Sequence, residues 1–413
     1  MWGVSSSAYQ TEGGNSNDWT EWEQDNADHL AAEAGPIKDY GNGPVPRWKL
    51  IAKQAKNPSN YLSGKAVGSF DRWQEDIDLA KDLGLNAFRF SVEWSRVEPK
   101  RGQYDKKAID HYVRMAKYCQ KHGLRPLVTL YHFTLPVWTG SSKAWEGQEI
   151  TTKFVAYVQA VVQQMPSGVD YLILNEPEMF AMLGWLRGEL PPYKKSMLQF
   201  RKVMRRLADA HNQSYDTIKR RDSKAQISSA VQNIHFDAKR NLAWPINAAV
   251  GKVCDRLLNH DFHGRTMDHQ DFIALNQYIH CVVNLGMFKN QLTEPRSDLG
   301  WYLHPESMYA ALRALQRYNK PIWITENGLA DKKDKLRQWY IPEVLKQVHR
   351  AIEEDVNVRG YYHWSLTNNF EWDKGYWPEF GLVDVDRSTM ERRPRKSARL
   401  YAEIAAQNAI KSD

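Results

Sequence analysis

Eight short apolar segments, each followed by a helical stretch, set the limits on what this chain can fold into. Runs rich in β-branched, aromatic and leucine side chains recur at residues 2–9, 85–91, 125–131, 171–175, 227–232, 271–278, 321–326 and 358–364. Between them lie stretches with helical spacing, at 72–83, 105–122, 151–165, 196–220, 243–258, 305–318, 336–354 and 394–406. In 105–122 the apolar residues Ile109, Tyr112, Val113, Ala116 and Cys119 fall on one helical face, and Gly123 stands where a helix stops. Strand and helix in strict alternation describe an α/β fold with a parallel sheet, and eight repeats are the number that closes a (β/α)8 barrel. No Gly/Ser linker or change of composition interrupts the pattern. With 42% hydrophobic residues in 413, the expectation is a single domain over residues 1–413 with one large core.

The connections after the strands are long, at 13–69, 178–193, 233–241, 282–304 and 365–393. In such barrels these loops build the mouth where chemistry happens. Polar residues gather at the same end. Gln10, Arg89, His132, Asn175, Glu176, Tyr278, Glu326 and Trp364 all lie at or just past the C-terminal ends of the expected strands. Two of them are carboxylates of the same local build. Pro321-Ile322-Trp323-Ile324-Thr325 runs into Glu326 before Asn327-Gly328 breaks the strand, and Tyr171-Leu172-Ile173-Leu174-Asn175 runs into Glu176 before Pro177 does so. A carboxylate at the tip of a buried strand is costly to desolvate unless it is partnered or used. A pair of them suits glycosidic bond cleavage, in which one acid protonates the leaving oxygen and the other attacks carbon or activates water.

These motifs carry a resemblance. Leu174-Asn175-Glu176-Pro177 and Ile324-Thr325-Glu326-Asn327-Gly328 resemble the acid/base and nucleophile signatures of glycoside hydrolase family 1, the β-glucosidase family. Trp2-Gly3-Val4 through Gly13, Phe88 through Arg96, His132 after Val128-Thr129-Leu130-Tyr131, Asn276-Gln277-Tyr278, Trp364-Ser365-Leu366, Asn369-Phe370-Glu371-Trp372 and Phe380-Gly381-Leu382 match the family in order, over nearly the whole chain. The resemblance implies the same barrel and a retaining β-glycosidase acting on terminal β-D-glucosyl residues, with β-galactosides and β-fucosides as further substrates. It implies Glu326 as nucleophile and Glu176 as acid/base. It also implies a sugar-binding set of Gln10, His132, Asn175, Tyr278, Trp364, Glu371 and Trp372, with Arg89 in support of Glu326. A retaining mechanism predicts carboxyl groups about 5 Å apart, against about 9 Å for an inverting one.

Three positions depart from the family. Phe133 stands where it often has Trp, which removes an indole donor for one sugar hydroxyl, the 3-hydroxyl on the family's pattern. Gln277 replaces the first Tyr of Asn-Tyr-Tyr, and Asn368 replaces Asp before Asn-Phe-Glu-Trp. The Glu371-Trp372 pair argues against the 6-phospho-glycosidase branch, because a carboxylate repels a phosphate. The competing reading is a catalytically silent sugar-binding protein on the same barrel, yet both glutamates are present. Trp19, Trp22 and Trp145 receive no role.

The remaining composition narrows partners. Mean hydropathy of −0.64 and the lack of a long uncharged apolar run exclude a membrane span. Net charge is +7, but the cations are interspersed with acids, so nucleic acid is not an expected partner. The run Arg392-Arg393-Pro394-Arg395-Lys396 is expected to flank the last helix, with Pro394 in its first turn. Cys119, Cys254 and Cys281 show neither metal spacing nor a disulfide framework, and suit a reducing compartment. No signal peptide is visible after Met1, so a cytoplasmic location is expected. The family's chains begin several residues earlier, which leaves a removed leader open. No metal or organic cofactor is signalled, and oligomeric state is unreadable.

Overall fold

The computed structural model describes residues 1–36, 45–284, 287–289 and 295–410. Eight parallel strands close into a barrel: β1 (Trp2–Ser5), β2 (Ala87–Ser91), β3 (Arg125–Thr129), β4 (Asp170–Asn175), β5 (Ile227–Ala238), β6 (Ile273–Asn284), β7 (Ile322–Asn327) and β8 (Val358–Trp364). Each pairs with its sequence neighbours, and β1 pairs with β8 to complete the ring. The parts of the 13–69 and 282–304 loops at residues 37–44, 285–286 and 290–294 lie outside the described residues.

The period-2 alternation of a strand sorts residues between two cores. On β2, Ala87 faces the barrel interior while Phe88 and Phe90 face the helices. The interior below the mouth is filled by Ala87, Leu127, Leu172, Ala230, Phe272, Ala274, Trp323 and Tyr362, with Phe272 and Trp323 stacked 4.0 Å apart. This plug makes a floor, so the next inward residues up each strand meet at the mouth. Around it the helices bury their apolar stripes. Lys106–Lys121 is representative: the Asp105 side chain accepts from the Lys107 and Ala108 amides at its start. The stripe expected from the sequence, from Ile109 to Cys119, is buried against the sheet.

Several boundaries differ from the sequence reading. The first strand stops at Ser5 rather than at residue 9, because the Ala8 amide donates to Ser91 Oγ (2.7 Å) and a helical turn, Ala8–Thr11, follows. β5 and β6 run past the rim as a paired ribbon, Ala230 to Ala238 against Ala274 to Val283, instead of stopping near residues 232 and 278. The expected helix at 243–258 is Trp244–Cys254, passing into a wider π-type turn, Asp255–His260. Pro394 does not open the last helix. It ends a short strand, Glu391–Pro394, paired with Val383–Asp386, and the helix is Lys396–Gln407. Charge accounts for the shift: Arg392 bonds buried Asp76 (3.0 Å), and Arg395 bonds Glu379 (2.6 Å) and Asp384 (3.0 Å). Much of the basic run is thus consumed inside the protein. No helix among the described residues is long and apolar enough to cross a membrane.

Candidate active site

Arg89 is the hub of the mouth. It projects inward from β2, fully buried, two residues above Ala87 in the floor. Its Nε donates to Thr129 Oγ1 (3.0 Å), one terminal nitrogen to Glu326 Oε1 (2.5 Å) and the Thr325 carbonyl (3.1 Å), and the other to Asn175 Oδ1 (2.7 Å). One guanidinium thus ties the ends of β2, β3, β4 and β7 together. A fixed fork of donors suits this task better than a single ammonium would.

Glu326 is 4% exposed and held on both oxygens, since the Tyr278 hydroxyl donates to Oε2 at 2.9 Å. Both contacts stabilise the ionised form. The turn after it is tightly closed: a Cβ on Gly328 would lie 1.9 Å from the Trp364 carbonyl, so glycine alone allows the ends of β7 and β8 to meet. Trp364 is held there at the wall, its ring 6.0 Å from that of His132 and nearly parallel to it.

Glu176 stands at the end of β4 in the left-handed region, φ 44°, with Pro177 opening the short helix that follows. The position re-aims its side chain across the mouth. Asn276 of β6 donates to Glu176 Oε1 (2.9 Å) and Asn175 Oδ1 (3.2 Å), and accepts from Thr325 Oγ1 (2.8 Å). The two glutamates therefore belong to one hydrogen-bonded network, through Asn276, Asn175 and Arg89. Burial, and then the charge of Glu326, push the Glu176 carboxyl up to about 8. Glu176 is thus held toward its protonated form, while Glu326 accepts from a cation and a hydroxyl, an asymmetry of the kind that separates the roles of paired acids.

The other predicted residues line the same space. Asn175 Nδ2 is 3.4 Å from His132 Nε2. Burial, and then Arg89, hold His132 well below the ordinary imidazole range, and its Nδ1 has no partner in the protein. Glu371 accepts from Asn369 (2.7 Å) and Gln10 (3.3 Å), and Gln10 is fixed by Ser7 Oγ (2.7 Å) and the Phe370 carbonyl (3.0 Å). Burial pushes Glu371 up to about 7. Trp372 lies parallel to His132 at 6.2 Å and is braced by Tyr9 (5.3 Å) and Trp19 (4.7 Å). Trp19 thereby gains a role the sequence did not assign, whereas Trp145 is core, donating to Tyr131.

Among the departures, Phe133 packs 5.1 Å from Trp372 and brings no donor. Asn368 bonds Asp384 (2.8 Å) and the Gly381 amide (3.2 Å), so it fastens the hairpin rather than the sugar site. Asn276 and Asn369 stand in motifs matched from the sequence but received no role there. Asn276 carries a usable signal, two positions before Tyr278 on the same strand. Asn369 shows its role only through the fold of its loop.

Comparison with known proteins bears on the fold and the family. A family model described as glycosyl hydrolase family 1 matches residues 1–241 and 259–410. The chain is 28% identical to β-glucosidase A of Acetivibrio thermocellus over 99% of this chain and 98% of that relative. It is 26% identical to a β-galactosidase of Pyrococcus woesei, over 99% and 97%. Its fold superposes on a β-glycosidase from Pyrococcus horikoshii with a TM-score of 0.85 at 30% identity, covering 100% of this chain and 95% of that one. A family model matched across nearly the whole sequence, on a barrel of the same topology, leaves one assignment: the chain belongs to glycosyl hydrolase family 1.

Proposed function

We propose that residues 1–413 act as one catalytic unit that cleaves terminal β-D-glucosides and β-D-galactosides by double displacement. A Glu326 carboxylate oxygen bonds to the anomeric carbon as the glycosidic C–O bond breaks. The proton of Glu176 goes to the departing oxygen. Esterification removes the negative charge of Glu326, so Glu176, now ionised, holds its state more readily and takes a proton from water. The resulting hydroxide oxygen bonds to the same carbon, and Glu326 leaves as carboxylate. Two inversions give net retention, and a carboxyl separation of about 5 Å suits that route. In this reading Asn175 meets the 2-hydroxyl, Glu371 and Gln10 grip neighbouring hydroxyls, and Trp364 and Trp372 supply the flat face and indole N–H.

The observation that carries the reading is the asymmetric environment of the two acids: Glu326 between Arg89 and Tyr278, and Glu176 raised to about 8. Glu326→Ala is expected to abolish turnover of an aryl β-glucoside and to recover it with azide, giving the α-glycosyl azide. Glu176→Ala with azide is expected to give the β-azide. The opposite stereochemistry would exchange the two roles, and no hydrolysis by the wild type would favour the silent sugar binder.

A further inference from the structure

The ribbon that β5 and β6 form beyond the rim carries a second cluster of reactive side chains. His235 and His280 are register partners across it. His304, just ahead of the helix Glu306–Leu315, stacks on His280 with ring centroids 4.2 Å apart. Each ring offers a nitrogen, and the three nitrogens all lie within 4.8 Å of one another. His280 is 3% exposed, yet neither of its ring nitrogens has a hydrogen-bond partner. A buried polar ring left in that state is costly, and nothing in the glycosidase chemistry uses it.

We infer that His235, His280 and His304 form a binding site for one transition-metal ion of the zinc class. Imidazole donors favour zinc, nickel and copper over the hard cations magnesium and calcium. Zinc–nitrogen bonds of about 2.0–2.1 Å place tetrahedral donors roughly 3.4 Å apart, so the rings need only a small inward rotation. Ser307 Oγ, 3.1 Å from His235 Nδ1 and 2.9 Å from His304 Nδ1, fixes two of the rings, as outer hydrogen bonds do at metal sites. Two carboxylates stand at the opening, Asp237 3.8 Å from His280 Nε2 and Glu306 3.6 Å from His304 Nε2. Both are well exposed, so they give a cation a path in and water a place in the fourth position. A bound ion ties β5, β6 and the segment before Glu306 into one unit beside the mouth.

The test uses untagged protein stripped with a chelator and titrated with ZnCl2 by calorimetry, with MgCl2 as control and Co2+ absorption as a coordination signature. The expected result is one zinc per chain at micromolar Kd or tighter, a higher Tm with zinc, and no magnesium binding. His280→Ala is expected to weaken zinc by about 100-fold or more while leaving aryl β-glucosidase activity within about twofold. His235→Gln provides a milder second variant with the same expected loss. Wild type that takes up no zinc, or zinc binding that survives in both variants, overturns the assignment.

Discussion

Replacing Glu326 with Gln should lower the pKa of Glu176 by about 2 units. Two unit charges about 5 Å apart, the spacing expected of a retaining pair, interact by about 3.3 kcal/mol at an effective dielectric of about 20. That corresponds to roughly 2.4 pH units. Burial stands ahead of Glu326 among the causes that raise Glu176 to about 8, so the carboxyl should settle near pH ~6 rather than return to its solution value. In the proposed mechanism the same drop, produced by esterification of Glu326 during turnover, turns the acid into a base. The assay is carbon-13 NMR of labelled glutamate side chains in wild type and Glu326→Gln, with Glu176→Gln locating the resonance. In wild type, kcat/KM for an aryl β-glucoside should fall as pH rises through about 8, as Glu176 loses its proton. A Glu176 titration that moves by less than about half a unit in Glu326→Gln would refute the electrostatic argument.

Three further outcomes follow from the contacts described. Arg89→Met strips the buried partner from Glu326 and Asn175, a loss on the order of 3–5 kcal/mol, so both Tm and kcat/KM should drop sharply, with Arg89→Lys recovering only part of each. Unchanged turnover would remove Arg89 from the scheme. Phe133→Trp restores an indole donor and should raise kcat/KM for a β-glucoside by about 2- to 10-fold, the worth of one neutral hydrogen bond, but not for its 3-deoxy analogue; equal gains would indicate packing alone. Glu176→Gln should be more thermostable than wild type at pH 9 but not at pH 4.5. The folded pKa lies above the unfolded one, so the native state holds the extra proton and wild-type stability declines as pH rises from about 4.5 to about 8. Parallel melting curves at both pH values would contradict the raised pKa.

The barrel was legible because each strand is an apolar run of β-formers and each helix has a periodic stripe. The tips of β4 and β7 were legible because an acid after such a run must be partnered or used, and two runs of the same build end on one. What escaped the sequence has physical causes. The extension of β5 and β6 beyond the rim is built from His235, Asp237, His280 and other residues of mixed polarity, and it exists because the two strands pair with each other. The seating of Pro394 depended on where Arg392 and Arg395 find acids, which lie far away in sequence. Asn276 looks like an ordinary strand polar residue until the closure of the barrel brings it to Glu176.

The guanidinium of Arg89 meets one carboxylate directly, while ionising Glu176 or Glu371 would bury a charge and add repulsion against Glu326, so both hold their protons above the ordinary carboxylate range. A sugar is neutral, so its arrival leaves that imbalance in place. It is relieved when positive charge develops on the pyranose ring, or when an inhibitor brings an ammonium nitrogen to the same spot. Amine-containing sugar mimics should accordingly outcompete their neutral counterparts here, and added salt should blunt the preference little, because buried charges are screened far less than those on the surface.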